Sequence, residues 1–116
     1  MKENKLLALS RDFAVSSIQL SSSLKKIGQN AIADQLQRSA TSISANIAEA
    51  NHPQSRADMI SKFEISLKES NETENWLVIC HESGFLDNET FKNLHKQIVQ
   101  IKILLISSVK TLKGKN

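Results

Sequence analysis

Apolar residues recur along this chain at alternating spacings of three and four, which places them on one face of an α-helix. Gly28, the pair His52 and Pro53, and Gly84 interrupt this pattern and divide the sequence into four stretches of similar length. We therefore predict an all-α fold of four helices. Because the connections are short, sequential helices should be antiparallel, as in an up-down-up-down four-helix bundle that spans residues 1–116 as a single domain.

The first two helices are predicted from their apolar rows. The first ends near Lys26, and the second extends from about Asn30 to Ala50. The row predicted for the first helix consists of Leu6, Leu9, Phe13, Leu20, Leu24 and Ile27, accompanied by Ser16 and Ser23. The second helix is rich in Ala, Ser and Thr, which allow close helix approach but lower intrinsic helicity, so this helix needs burial against its neighbours.

Local signals mark the ends of the third and fourth helices. Ser55, with Asp58 three residues later, resembles a capping box at the start of the third helix. Gly84 supplies a left-handed stop for that helix, and Phe85 is available to fold back on the helix end. Asp87 can then cap the fourth helix.

The fourth helix carries more apolar surface than one buried face requires. One row keeps heptad spacing and consists of Phe91, Leu94, Ile98, Ile101, Leu105 and Leu112. Ile103, Leu104 and Ile106, together with Val109, add a second apolar face, so this helix requires burial on both sides. We predict a homo-oligomer with Ile103, Leu104 and Ile106 at the subunit interface. The alternative is a fourth helix enclosed in a monomeric core.

Charge is distributed unevenly, although the net charge is only +3. Carboxylates dominate residues 49–89, whereas residues 90–116 contain no carboxylate and have these lysines: Lys92, Lys96, Lys102, Lys110, Lys113 and Lys115. One interpretation is a solvated helix face beside the acidic segment. The other is a surface that contacts the phosphates of RNA or DNA. Because Phe91 is the one aromatic residue in this segment, such binding should be electrostatic and weakly sequence-selective.

Polar residues recur at three- and four-residue spacing on the second helix, and the third helix offers partners for them. The predicted inter-helix polar layer consists of Arg38, Ser39, Asn46, Glu49 and Glu72. In the structural interpretation this layer fixes the register of the helices. The functional alternative is a pocket for a ligand or a partner.

Few residues have the spacing that catalysis or metal binding requires. Glu49 and His52 match the Glu-x-x-His spacing of di-metal bundles, but neither His81 nor His95 completes a second pair. Cys80 is the single cysteine and has the character of a small apolar residue in a helix. The sequence has no glycine-rich phosphate loop and no Gly-x-Ser-x-Gly elbow. We therefore predict no catalytic, metal-binding or cofactor-binding residues, and a protein that is not an enzyme.

The chain lacks the pattern of a membrane protein. A membrane-spanning helix needs about 20 apolar residues, and the longest apolar run near the end of the chain is Ile103 to Ile106. The first residues alternate charges and do not have the pattern of a signal peptide. We therefore expect a cytoplasmic protein with no membrane partner.

The stretch from Gln35 to Leu77 resembles a known family. The matching features are Arg38 with Ser39, the Ser-Ile-x-Ala-Asn-Ile block at Ser42 to Ile47, Glu49 with Ala50, Lys62 with Phe63, and the Leu-Lys-Glu-Ser-Asn-Glu-Thr-Glu-x-Trp-Leu run at Leu67 to Leu77. In these features the chain resembles the four-helix-bundle proteins found in intervening sequences of bacterial large-subunit ribosomal RNA genes. That family includes accessory variability determinants of diversity-generating retroelements.

The resemblance implies an up-down four-helix bundle that assembles as a ring, a pentamer, with no known catalytic activity. Retroelement relatives have basic surfaces that engage nucleic acid and a reverse transcriptase, but no residue of the matching motifs is a dedicated nucleic-acid ligand. Our leading hypothesis is a non-enzymatic oligomeric scaffold or binding module with RNA or DNA as partner. The alternative is a protein–protein assembly factor with no nucleic-acid partner, which uses its acidic third segment.

Overall fold

Four α-helices make up the part of the chain that the computed structural model describes, residues 2–114, with side chains from residue 5 onward. They are α1 (Lys2–Lys26), α2 (Asn30–Ala50), α3 (Arg56–Glu82) and α4 (Asn88–Leu112). The predicted all-α class and the helix number are confirmed. No helix in the described residues is long and apolar enough to span a membrane.

The helices form an antiparallel bundle in which each packs against its sequence neighbours and α4 returns to α1. Between α2 and α3, the paired residues run in opposite directions: Ser39 contacts Thr73, and Glu49 contacts Lys62. The described chain measures 45 × 23 × 20 Å, as expected for helices of 21 to 27 residues lying side by side. The up-down-up-down arrangement is therefore confirmed.

Two tight turns with a left-handed glycine join α1 to α2 and α3 to α4. Gly84 has a φ of +82°, and the N–H of Phe85 donates to the carbonyl oxygen of Cys80 at 2.9 Å. Gly28 has a φ of +83°, and the N–H of Gln29 donates to the carbonyl oxygen of Leu24 at 2.9 Å. Both turns are Schellman motifs, which satisfy the last helical carbonyls and reverse the chain in a few residues.

Side-chain caps begin the two C-terminal helices. The Oγ of Ser55 accepts a hydrogen bond from the N–H of Asp58 at 3.0 Å, and Asp58 Oδ2 accepts one from the N–H of Gln54 at 3.1 Å. At α4, Asp87 Oδ1 accepts a hydrogen bond from the N–H of Thr90 at 2.7 Å. Both predicted helix starts are therefore confirmed, and the capping carboxylate at α3 reaches Gln54 rather than Ser55 itself.

The core combines aliphatic side chains with buried hydroxyl groups. The fully buried polar residues among those described are Ser10, Ser17, Ser21, Ser39, Ser66, Ser70 and Thr73. The row predicted for α1 was wrong at one end, because Ser23 and Ile27 are exposed. Ile27 follows the last residue of α1 and lies in the Gly28 turn, so the helical row does not continue to it.

Candidate interaction surface

A continuous row of side chains follows the outward side of α4, and we call it the α4 outer seam. Its members are separated by alternating steps of four and three residues, and they are Lys92, Lys96, Val99, Ile103, Ile106 and Lys110. The core-facing row has the same spacing and consists of Leu94, Ile98, Ile101, Leu105, Ser108 and Leu112. Steps of four and three are the spacing of coiled-coil seams. Helix α4 therefore has a helix-packing row on each of two opposite sides.

The middle of the α4 outer seam is apolar, and Ile103 and Ile106 face solvent in the single chain, whereas Val99 is partly buried against the core. The side chain of Ile103 is 61% exposed and that of Ile106 is 38% exposed. Leu104 lies on a different side of α4, where it is half-buried and lines a cleft with Leu6 and Phe63. Of the three residues predicted for a subunit interface, Ile103 and Ile106 thus share the outer seam, whereas Leu104 packs within its own chain.

The lysines of residues 90–116 divide into two groups. Lys102 Nζ lies 2.6 Å from Glu74 Oε1, and Lys113 Nζ lies 2.8 Å from Glu64 Oε2, so these two are paired with α3. The other described lysines of this segment are exposed and have no carboxylate of residues 5–114 within 4.0 Å; they are Lys92, Lys96 and Lys110. These three belong to the α4 outer seam. Lys115 lies outside the described residues.

A cluster of rings and charges joins α3 to α4 beside the outer seam. Glu74 Oε2 lies 2.8 Å from His95 Nε2, in addition to its contact with Lys102. The hydrogen bond from Lys102, supported by that from His95, outweighs the effect of burial and lowers the pKa of Glu74. His81, Phe91 and His95 stack in series, with ring centroids 4.2 Å and 5.3 Å apart. Sequence spacing does not group these residues, because they meet only when α3 and α4 pack.

Arg38 is the centre of an ion-pair cluster on the outside of the α2–α3 interface. Its guanidinium contacts Glu72, and its Nη1 lies 3.3 Å from Glu69 Oε1. Trp76 Nε1 donates to Glu72 Oε2 at 3.3 Å. Partial burial opposes ionisation of Glu72, but the hydrogen bonds from Arg38 and Trp76 outweigh it, so the pKa of Glu72 is lowered. The structure therefore brings Arg38 and Glu72 together, and Glu69 and Trp76 complete the cluster.

The other members of the predicted polar layer lie at different positions along the helix axes. Ser39 and Thr73 are fully buried, and their hydroxyl oxygens are 2.8 Å apart. Glu49 Oε1 lies 2.8 Å from Lys62 Nζ, and Asn46 Nδ2 donates to a carbonyl oxygen of its own helix. Ser39 and Glu49 are separated by about 15 Å at 1.5 Å per helical residue. These residues thus follow the length of the α2–α3 interface instead of forming one layer.

The described residues bring together few groups with the arrangement of a catalytic or metal centre. They contain no cluster of three or more His, Cys, Asp or Glu side chains that could hold a metal ion. Glu49 and His52 line one cleft, but the Glu49 carboxylate is paired with Lys62. Cys80 is fully buried, and burial raises the pKa of its thiol. A cleft of about 480 Å³ between α1 and α4 has Asp87 as its one carboxylate, which caps α4.

Comparisons with known proteins place the chain in a family. The profile of a family described as 23S rRNA-intervening sequence protein matches residues 2–107. A search of curated proteins gives no significant match. Among solved structures, the chain is similar to a protein of unknown function from the S23 ribosomal protein family of Bacteroides thetaiotaomicron VPI-5482. The two are 40% identical with a TM-score of 0.91, over 95% of this chain and 99% of that one. The chain belongs to the 23S rRNA-intervening sequence protein family.

Proposed function

We propose that this protein is a non-enzymatic scaffold that assembles with copies of itself through the α4 outer seam. The observation that carries the proposal is the exposure of Ile103, at the middle of a row with coiled-coil spacing. Burying an isoleucine side chain contributes about 1.5–3 kcal/mol relative to leaving it in water. A second helix packed on this row would bury Ile103 and Ile106 together, whereas the lysines at its ends would remain solvated.

We propose that the assembly is a closed ring in the cytoplasm. The family resemblance implies a closed ring of five copies, and a ring needs each copy to contact two neighbours. We infer a cytoplasmic assembly without cofactor. A role without catalysis fits a chain in which His95, Glu74 and Glu64 are used in pairing α3 with α4.

Replacing Ile103 with a charged residue tests the proposed assembly surface. We expect wild-type protein to have a mass in light scattering that is a multiple of the 12.9 kDa chain. Ile103→Glu should reduce it to that of one chain, because a carboxylate would be buried without a partner. Ile27→Glu is the matched control, because Ile27 is 57% exposed but lies in the Gly28 turn, outside the α4 outer seam. Equal masses for both variants would contradict the proposal.

Nucleic-acid binding is the second candidate function, and a specific observation favours it. Lys92, Lys96 and Lys110 project from one side of α4, and none of them forms an ion pair with a carboxylate of residues 5–114, so their charge is available to phosphates. Lys102 and Lys113 are paired within the chain and should contribute less. The three available lysines share the seam with Ile103. Self-assembly and RNA or DNA binding would therefore compete for this surface, unless the lysines remain at the rim of the assembled interface.

Filter binding at several salt concentrations tests this second candidate. RNA is the first probe, because the description of the family refers to 23S rRNA. The logarithm of the binding constant falls linearly with the logarithm of the salt concentration, and this slope decreases by about one for each phosphate that the protein no longer neutralises. Replacing Lys92, Lys96 and Lys110 with Gln should therefore lower the slope by about three. The control replaces Lys5, Lys26 and Lys68 with Gln, which makes the same change in net charge elsewhere on the surface. Equally weakened binding in both triple variants would contradict a specific role for the seam.

A protein partner is the remaining alternative, and the same experiments distinguish it. In that case the chain is an assembly factor with no nucleic-acid partner, and a reverse transcriptase is the partner that the retroelement resemblance suggests. Absence of RNA and DNA binding even at low salt, with self-assembly intact, would favour this alternative.

A further inference from the structure

An apolar cleft opens between α1, α3 and α4 at the end of the bundle where α1 begins and α4 ends. Its volume is about 260 Å³. Its apolar walls come from Leu6 of α1, from Met59 and Phe63 of α3, and from Leu104 and Leu112 of α4. Leu6 and Phe63 are buried in the core, whereas the other three side chains are only partly buried against it. The chain therefore leaves apolar surface beside its core open to water at this point.

One residue of the core-facing row of α4 accounts for this space. Ser108 is the one polar member of that row, and its neighbours in the row are Leu105 and Leu112. A serine side chain is smaller than a leucine side chain, so it leaves part of the inter-helix volume unfilled. The Ser108 hydroxyl donates to the carbonyl oxygen of Leu104 at 2.9 Å and is thus directed at its own helix.

Two contacts tie the start of α3 to the end of α4 beside the cleft. Arg56 Nε donates to the carbonyl oxygen of Leu112 at 3.0 Å, and Lys113 Nζ lies 2.8 Å from Glu64 Oε2. A site that is formed before binding loses less conformational freedom when a ligand enters. Small-molecule sites of helix bundles lie between helices and are mostly apolar, with a few polar groups that orient the ligand. The cleft has this composition.

The polar lining of the cleft favours an anion. Lys5 is the one charged residue among the described residues that line the cleft, it is exposed, and no carboxylate of residues 5–114 lies within 4.0 Å of its amino group. Ser107 and Thr111 also line the cleft, one helical turn apart, where their hydroxyl groups can donate to a carboxylate. Asp58 and Glu64 follow or precede lining residues of α3, but Asp58 lines another cleft and Glu64 is held in the ion pair given above.

The larger cleft between α1 and α4 fits an apolar ligand less well. It is lined mainly by hydroxyl and amide side chains, among them Ser16, Gln19 and Asn93, and it contains the carboxylate of Asp87. Water satisfies such groups, so an aliphatic ligand would have to displace water that is well bound.

The volume of the apolar cleft sets the size of its ligand. An apolar cavity of ~150 Å³ holds benzene, so about 260 Å³ accommodates roughly ten non-hydrogen atoms, which is the size of octanoate. We propose that the cleft binds a small aliphatic monocarboxylate, with its chain between Leu6, Phe63 and Leu104 and its carboxylate at Lys5. The cleft contains no residue of the α4 outer seam, so this binding does not depend on self-assembly.

Calorimetric titration with carboxylates of increasing length tests the proposal. Octanoate should bind about fifteenfold more tightly than hexanoate, because each of the two added methylenes contributes about a fourfold gain when it is buried. Decanoate should bring no comparable further gain, because the cleft is then full. Absence of saturable octanoate binding by the wild-type protein would overturn the proposal, and so would an affinity that keeps rising equally beyond octanoate.

The role of the charge is measured with one variant and two ligands. Lys5→Gln should weaken octanoate binding by up to about fivefold, as expected for an exposed ion pair, and should leave the binding of 1-octanol unchanged. Lys26→Gln is the matched control, because Lys26 is exposed at the other end of α1. Equal affinities of wild type and Lys5→Gln for octanoate would overturn the assignment of the carboxylate to Lys5.

A variant that fills the cleft gives an independent measurement. Ser108→Leu completes the apolar row of α4, so it should reduce octanoate binding at least about tenfold while helix content and Tm stay equal to or above those of wild type. Ser22→Leu, at an exposed position of α1, is the control and should bind octanoate as wild type does. Undiminished binding by folded Ser108→Leu would overturn the proposal. Binding that arises only after removal of residues 1–4 would also overturn it, because those residues would then be the occupant of the cleft.

Discussion

Two buried serines should respond in opposite directions to the same chemical change. Ser66 and Ser17 are both fully buried in helices. The Ser66 hydroxyl donates across the α2–α3 interface to the carbonyl oxygen of Ile43 at 2.9 Å, whereas the Ser17 hydroxyl has no hydrogen-bond partner among the described residues. Replacing each with Ala removes one oxygen atom from the core. The presence or absence of a partner should therefore decide the sign of the change in stability.

The magnitudes follow from the hydrogen bond and from helix propensity. A buried intramolecular hydrogen bond contributes about 1 kcal/mol net, so Ser66→Ala should destabilise the fold by about 1 kcal/mol. An unpaired buried hydroxyl costs about 1–3 kcal/mol in mutational data, and Ala favours the helix by a few tenths of a kcal/mol over Ser. Allowing for the small void that is left, Ser17→Ala should stabilise the fold by about 1 kcal/mol.

Urea unfolding followed by circular dichroism measures both changes. The protein concentration must be equal in all samples, because self-association adds to apparent stability. Ser22→Ala is the control for helix propensity, because Ser22 lies on α1 and is exposed. For a domain of this size, about 1 kcal/mol corresponds to a shift of about 4 °C in Tm. The reasoning would be refuted by a Ser17→Ala variant that is less stable than wild type, or by changes of the same sign at both positions.

Three further predictions concern a turn, a carboxylate and the cysteine. Gly84→Ala should lower the free energy of unfolding by about 1 kcal/mol, because a residue with a Cβ is strained at a φ of +82°. Steric contact should add nothing, since no atom of the described residues lies within 4 Å of that Cβ; urea unfolding measures the change. Since the pKa of Glu74 is lowered in the folded protein, its stabilising contribution is present above its unfolded pKa of about 4.3 and is lost as pH falls through the folded value. Stability should accordingly fall less steeply between about pH 5 and pH 3 in Glu74→Gln than in wild type. Cys80 should react with a thiol reagent only after unfolding, because it is fully buried and its pKa is raised; rapid labelling of native protein would contradict the packing described.

The helix ends could be predicted because their signals are local. Gly28 and Gly84 adopt left-handed conformations, and Ser55 and Asp87 accept hydrogen bonds from the first helical N–H groups. Each of these features depends on residues within one turn of the chain. The apolar row of α1 could not be predicted to its end, because steps of three and four allow several neighbouring rows in a sequence rich in serine. In the structure, Ser10, Ser17 and Ser21 are buried in the core.

The partners of charged residues could not be predicted from spacing alone. The sequence indicates that lysines of α4 lie near an acidic helix. Which lysines are paired, Lys102 and Lys113, depends on the axial position of α4 relative to α3. The same axial alignment of α3 and α4 stacks the His81 ring on the Phe91 ring. Likewise, the spacing of Arg38 and Glu49 on α2 places them toward α3, whereas their separation along the helix makes them parts of different contacts. The spacing of residues predicts on which side of a helix a side chain lies, whereas the packing of the helices determines which residue it contacts.

The mass of the unmodified protein in solution tests the central claim most directly. Light scattering over a range of concentrations should give a defined multiple of the 12.9 kDa chain, and a ring of five copies should give five times that mass. This result would account for the exposed apolar middle of the α4 outer seam. A mass of one chain at every concentration would contradict the account, because Ile103 and Ile106 would then remain in water without a partner.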